Sequence, residues 1–226
     1  MDDMTETGEF SALFAQEDRE PCQLYLISPP SIDDGFAERL REAGEAGPVA
    51  AFQLRLKGLD DHAVARAAEP LQKICTDLDI AFIVNDSIAL AKRLGADGVH
   101  LGQEDGDPRE ARQILGRDAQ IGVTCHNSRH LAMEAGEGGA DYVAFGAFYP
   151  TGTKDVKYFA DTELLSWWST LFPIPCVAIG GITAANAAPL VKAGADFIAV
   201  SGAVWNDPAG PAAAVEAFSA VLSARS

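Results

Sequence analysis

The stretch Phe52-Gln53-Leu54-Arg55-Leu56-Lys57 alternates along its whole length, with Phe52, Leu54 and Leu56 on one side of an extended chain and Gln53, Arg55 and Lys57 on the other. The apolar run Pro48-Val49-Ala50-Ala51 precedes it and Gly58-Leu59-Asp60-Asp61 follows as a loop, so the polar face belongs to the C-terminal end of a strand. In parallel sheets that end is where ligands bind. A planar guanidinium beside an ammonium suits a phosphate or diphosphate better than a carboxylate. Read alone, the hexapeptide also fits an edge strand with one solvated face.

The flanking sequence places this strand in a repeat. Short β-branched or apolar runs at 24–28, 49–55, 81–85, 98–101, 121–124, 142–146, 176–179 and 197–201 alternate with helical patterns at 35–43, 61–78, 87–94, 107–115, 128–138, 161–171, 184–193 and 208–223. Eight βα units in 226 residues predict an α/β chain folded as one TIM (β/α)8 barrel, residues 21–226. A doubly wound open sheet is the alternative, because strand count does not show closure. Three echoes, Gly95-Ala96-Asp97-Gly98-Val99, Gly139-Ala140-Asp141-Tyr142-Val143 and Gly194-Ala195-Asp196-Phe197-Ile198, read as loop chemistry between helix and strand.

Composition narrows the partners. A formal charge of −16 at pH 7 argues against nonspecific binding to nucleic acid or an anionic membrane, so any cationic site must be local. Cys22, Cys75, Cys125 and Cys176 stand in apolar surroundings without a CxxC pair, as buried thiols of a reducing compartment do. With no basic leader and no run of about 18 apolar residues, the expected location is cytoplasmic. Residues 1–20 carry seven acids against Arg19 and read as a flexible extension. Trp167 and Trp168, adjacent on a helix, leave a homo-oligomer open.

In a barrel the strand exits build one site. Asp86 and Asp105 leave neighbouring strands and together could hold a hard divalent cation, although a helix cap and a surface turn also account for them. Thr124 can donate to a phosphate, and His126 is a weaker candidate for a base. Thr151-Gly152-Thr153-Lys154 offers two hydroxyls and an ammonium on a long loop. Gly180-Gly181 and Ser201-Gly202, after strands seven and eight, allow backbone N–H groups to approach a second anion.

From Gln53 to Ala203 these motifs, in this order, resemble thiamine phosphate synthases: Gln53-Leu54-Arg55-Leu56-Lys57, Asn85-Asp86, Gly95 to Asp105, Gly122-Val123-Thr124, Pro150 to Lys154, Ile179-Gly180-Gly181-Ile182 and Val200-Ser201. The resemblance implies a TIM barrel that joins hydroxymethylpyrimidine diphosphate to a thiazole phosphate with Mg2+, giving thiamine phosphate and pyrophosphate. It implies Asp86 and Asp105 as metal ligands, and Arg55, Lys57, Asn85, Thr124 and Lys154 around the diphosphate. Gln53 would address the pyrimidine, and Thr151, Thr153, Gly181, Val200 and Ser201 the thiazole phosphate. Ser87 and Cys125 depart from the family pattern. Two rivals share the fold: a thiazole tautomerase-like relative, and a noncatalytic sensor of phosphate ligands.

Overall fold

The computed structural model describes residues 20–151 and 157–223. Eight parallel strands form, each where alternation puts apolar side chains on both faces: β1 Gln23–Ile27, β2 Val49–Leu54, β3 Ala81–Asn85, β4 Gly98–Leu101, β5 Gln120–His126, β6 Tyr142–Gly146, β7 Cys176–Ile179 and β8 Phe197–Val200. Each pairs with the next and β8 pairs with β1, so the sheet closes. The barrel is the expected one; closure excludes the open sheet.

Helices follow the strands: α1 Phe36–Glu45, α2 Asp61–Asp77, α3 Ile88–Leu94, α4 Pro108–Leu115, α5 Arg129–Glu137, α6 Thr162–Leu171, α7 Ala184–Lys192, α8 Gly202–Trp205 and α9 Pro211–Leu222. Local chemistry sets their starts. The carboxylates of Asp60, Asp107 and Asp161 and the hydroxyls of Ser87 and Ser128 accept hydrogen bonds from first-turn N–H groups of α2, α4, α6, α3 and α5. Gly95 in left-handed conformation, φ 59°, stops α3. In α2 the buried Val64, Ala68, Leu71, Ile74 and Cys75 keep helical spacing and make the inner stripe.

Two apolar layers result. Outward-facing strand residues such as Phe52, Leu54, Phe82, Val99, Ile121 and Phe145 pack under the helices, while Tyr25, Ile27, Ala51, Ile83, Tyr142, Ala144, Val177 and Ala199 fill the barrel. Burying each large apolar side chain contributes roughly 1.5–3 kcal/mol. All four cysteines are buried and outside any disulfide, in agreement with their sequence setting.

The three Asp echoes are clips at the N-terminal end of the barrel. Carboxylates of Asp97, Asp141 and Asp196 accept the N–H groups of Phe82, Ile121 and Cys176 at 2.7, 2.6 and 2.8 Å, tying β4 to β3, β6 to β5 and β8 to β7. Asp141 also accepts from the Arg112 guanidinium at 2.6 Å. They organise strand starts, far from the mouth.

One helix differs from expectation. The pattern at 208–223 resolves into α9, and the separate turn α8 begins immediately after β8. Trp205 fixes α8: its indole meets Phe36 edge-on at 4.8 Å and its Nε1–H donates to the Ile27 carbonyl at 2.7 Å. Among the described residues no helix is long and apolar enough to cross a membrane. Trp168 is fully buried and donates to the Ile174 carbonyl, while Trp167 is half-buried under Arg129, so packing accounts for both. The acidic extension lies outside the described residues except for Glu20.

Candidate active site

Strand β2 ends at Leu54, one residue short of the expected run 49–55. Gln53 is buried inside the barrel, whereas Arg55 and Lys57 lie in the loop beyond, the first half-buried and the second exposed. Ser28 pins this exit: its hydroxyl oxygen accepts the Arg55 N–H at 2.8 Å, and its own N–H donates to the Gln53 carbonyl at 2.9 Å. The Arg55 main chain is therefore held while its guanidinium is left for the mouth.

Asp86 follows β3 in left-handed backbone, φ 65°, and its N–H donates to the His100 carbonyl of β4 at 2.8 Å. It is not the helix cap that a sequence-only account allows, because Ser87 performs that task for α3. Ser87 thus has a local structural role. Asp105 leaves β4 through a turn in which its carboxylate accepts the Gly102 N–H at 2.9 Å. A Cβ at position 102 would lie 2.5 Å from that carboxylate oxygen, so glycine makes the close approach possible. Burial, followed by the adjacent Asp105 charge, raises the Asp86 pKa from 3.8 to about 6, and Arg55 pulls it back down. Two carboxyls and a cation from three neighbouring strands thus converge on one spot.

The opposite half of the mouth is built from backbone. Gly180 and Gly181 after β7 have φ of 101° and 66°, and a Cβ on Gly181 would lie 2.4 Å from the Pro150 carbonyl oxygen. Glycine is needed there for the β6 loop to close against β7, and Tyr149 N–H donates to the Gly180 carbonyl at 3.0 Å. This loop delivers half-buried Thr151 to the rim. Thr153 and Lys154 lie outside the described residues. Val200 turns its side chain into the layer under the helices, so only its backbone can face a ligand. Ser201 donates its hydroxyl to the Ser28 carbonyl at 3.2 Å, and Gly202 opens α8 rather than a loop.

Strand β5 runs two residues past its expected end, with a register break between Thr124 and His126. The break sends Cys125 into the outer core, fully buried, where its thiol donates to the Val123 carbonyl. It therefore faces away from the barrel interior. His126, at φ 54°, lies 5.1 Å from the Tyr158 ring.

Apart from Gln53 and Thr124, sequence reasoning did not single out what lies beneath the mouth. Gln53 Nε2–H donates to the Tyr25 hydroxyl at 3.0 Å, and the Tyr25 and Tyr142 hydroxyls are 2.9 Å apart. Tyr142 reaches His100 Nδ1 at 3.1 Å, and His100 Nε2 reaches Thr124 Oγ1 at 2.8 Å. Burial keeps these groups uncharged, lowering the His100 pKa to about 4 and raising that of Tyr25 to about 12. The available signal was parity: these polar residues occupy inward positions of otherwise apolar strands.

The sequence profile of the family described as thiamine monophosphate synthase matches residues 24–204. The chain belongs to that family. A thiamine-phosphate synthase of Erythrobacter litoralis is 65% identical over 209 residues, covering 90% of this chain and 97% of the relative. A thiamine phosphate pyrophosphorylase structure from Pyrococcus furiosus superposes with a TM-score of 0.78 at 32% identity, covering 89% of this chain and 95% of that one. A (S)-3-O-geranylgeranylglyceryl phosphate synthase of Thermoplasma acidophilum, TM-score 0.67 at 15% identity over 97% of this chain and 99% of that one, shares the fold alone. Within the thiamine monophosphate synthase family match lie Gln53, Arg55, Lys57, Asn85, Asp86, Asp105, Thr124, Gly181, Val200 and Ser201.

Proposed function

We propose that this chain, a thiamine-biosynthesis transferase by family, couples hydroxymethylpyrimidine diphosphate to thiazole phosphate through dissociative loss of pyrophosphate. The observation that carries the mechanism is the crowding of Asp86 and Asp105 beside Arg55. Two adjacent carboxyls, with the Asp105 charge raising the proton affinity of Asp86, form a donor set that fits a hard divalent cation, with diphosphate oxygens and water completing its shell. Mg2+ held there would neutralise charge on the departing diphosphate.

Arg55 and Lys57, with Lys154, bind the diphosphate and stabilise the negative charge that grows as the C–O bond breaks. The electron pair leaves with pyrophosphate, and the aminopyrimidine ring spreads the positive charge left on its methylene carbon. Thr151, Thr153 and the backbone at Gly181, Val200 and Ser201 hold the thiazole phosphate, so that its ring nitrogen attacks that carbon and forms the C–N bond. No protein nucleophile takes part.

The deciding experiment supplies both purified substrates with Mg2+ or with chelator and measures thiamine phosphate and pyrophosphate. Equimolar, Mg2+-dependent formation is expected. Undiminished turnover in chelator removes the metal from the mechanism, and binding of thiazole phosphate without product favours the tautomerase-like or sensor reading.

A further inference from the structure

The line of polar groups across the barrel interior is closed to solvent. Tyr25, Gln53, His100 and Tyr142 are 4, 3, 8 and 7% exposed, and among the described residues no buried side-chain nitrogen or oxygen lacks a partner. The line is also built into the packing. His100 stacks on Tyr142 at 5.6 Å, and a Cβ at Gly122 would lie 2.0 Å from the Tyr142 ring. Gln53 Oε1 accepts no hydrogen bond from a described residue, yet is not an orphan buried atom, so it keeps some accessible surface.

Hydrogen counting gives the line a direction. Each hydroxyl has one hydrogen and neutral imidazole has one N–H. With Gln53 Nε2–H donating to Tyr25, the Tyr25 O–H donates to Tyr142, the Tyr142 O–H to His100 Nδ1, and the His100 Nε2–H to Thr124 Oγ1. Thr124 then keeps its own hydrogen for a ligand, and Gln53 keeps its amide oxygen for one. The only other fully bonded arrangement reverses every donor, turns the Gln53 amide over and leaves Thr124 offering lone pairs. Any mixture either sets two lone pairs face to face or makes one tyrosine oxygen accept from both sides and strands that hydroxyl's own hydrogen inside the barrel, either of which costs about 1–3 kcal/mol.

We propose that Tyr25, Tyr142 and His100 are positioning residues that couple the two ends of this line. An anion at Thr124 selects the arrangement in which Thr124 donates, and the same arrangement presents the Gln53 oxygen to a donor on the ligand. A diphosphate-bearing pyrimidine with a 4-amino group satisfies both ends; its 4-oxo counterpart meets an acceptor with an acceptor. The substrate's anionic end thereby sets the amide that reads its ring. This rests on the assignment of Thr124 to the diphosphate and Gln53 to the pyrimidine.

The test compares kcat/KM for the 4-amino and 4-oxo pyrimidine diphosphates in the wild type, Tyr142→Phe, Tyr25→Phe and Gln53→Ala. The wild type should favour the amino form by roughly 100-fold or more, since a site built to bond one group leaves its own atoms unpaired against the other. Tyr142→Phe should cut that preference about tenfold, the worth of one buried hydrogen bond, while the thiazole phosphate KM stays within about twofold. If Tyr142→Phe does not fold, Tyr25→Phe is read in the same way. Nitrogen-15 NMR of the wild type with Mg2+ and inorganic pyrophosphate should show His100 as the Nε2–H tautomer. An Nδ1–H tautomer, an unchanged preference in the Phe variants, or equal losses on both diphosphates and on thiazole phosphate overturns the coupling. If Gln53→Ala loses the preference and the Phe variants keep it, the coupling alone is wrong; if the wild type forms no product, or Gln53→Ala keeps the preference, the underlying assignment has failed.

Discussion

Replacing Asp86 by Asn should make the metal-free protein more stable and inactive. Asp86 has a pKa raised from 3.8 to about 6 by burial and by Asp105, so the folded state disfavours its ionised form. A tenfold change in proton affinity is worth about 1.4 kcal/mol, and the rise therefore corresponds to about 3 kcal/mol before screening. Asp86 is covered on one side only and much of its surface meets water at the mouth, and that screening reduces this to about 1 kcal/mol. The sign follows from linkage. With the folded pKa above the unfolded one, the folded state holds the proton more tightly, and stability falls as pH rises from about 4 to 6. Asparagine keeps the shape, tolerates φ 65° and has no charge to lose. Thermal unfolding in chelator at pH 8 should show Asp86→Asn melting about 2–4 °C above the wild type, with the gap closing near pH 4. Mg2+ with pyrophosphate should raise the wild-type Tm and leave the variant unmoved, and product formation should be abolished. A variant that melts below the wild type at pH 8, or a gap independent of pH, would refute the reasoning.

Three further outcomes follow from the geometry. Arg55→Ala removes the half-buried cation beside Asp86 and should lower kcat/KM by about 100-fold or more with a fold unchanged by circular dichroism; an unchanged rate removes Arg55 from the site. Asp141→Ala strands the Ile121 N–H and removes the carboxylate from Arg112, whose guanidinium keeps the Gly116, Arg117, Ala119 and Gly139 carbonyls, and should cost about 1–3 kcal/mol in urea unfolding, whereas a loss below about 0.5 kcal/mol would mean that the clip is redundant. Gly122→Ala drives a methyl group into Tyr142 and should lower the Tm by several degrees, a loss of about 1–3 kcal/mol, measured by thermal unfolding; a wild-type Tm would show that the Tyr142 ring can yield.

The eight strands and most helix boundaries are legible because their causes are local. Alternation decides which side of β2 carries Phe52 and Leu54, and Asp60, Ser87 and Ser128 start helices whose first N–H groups they satisfy within three residues. Much of the rim is legible for the same reason: Gln53, Arg55, Asn85, Asp86 and Asp105 sit at or just beyond strand ends, and parallel topology carries those ends to one face. Where the expectations fail, long-range packing intervenes. The bulge in β5 turns Cys125 away, Trp205 binding to β1 creates α8, and Ser87 takes the cap that would otherwise occupy Asp86.

The sequence by itself determined the order and the faces of the elements, since both depend on spacings of two to four residues. Only the tertiary structure decided what crosses the barrel. The Tyr25–Tyr142 hydrogen bond joins residues 117 apart in sequence, and neither side chain has a local reason to find the other. Closure of β8 onto β1 brings them face to face inside an apolar lumen, where a hydroxyl without a partner costs about 1–3 kcal/mol and each must therefore bond its neighbour.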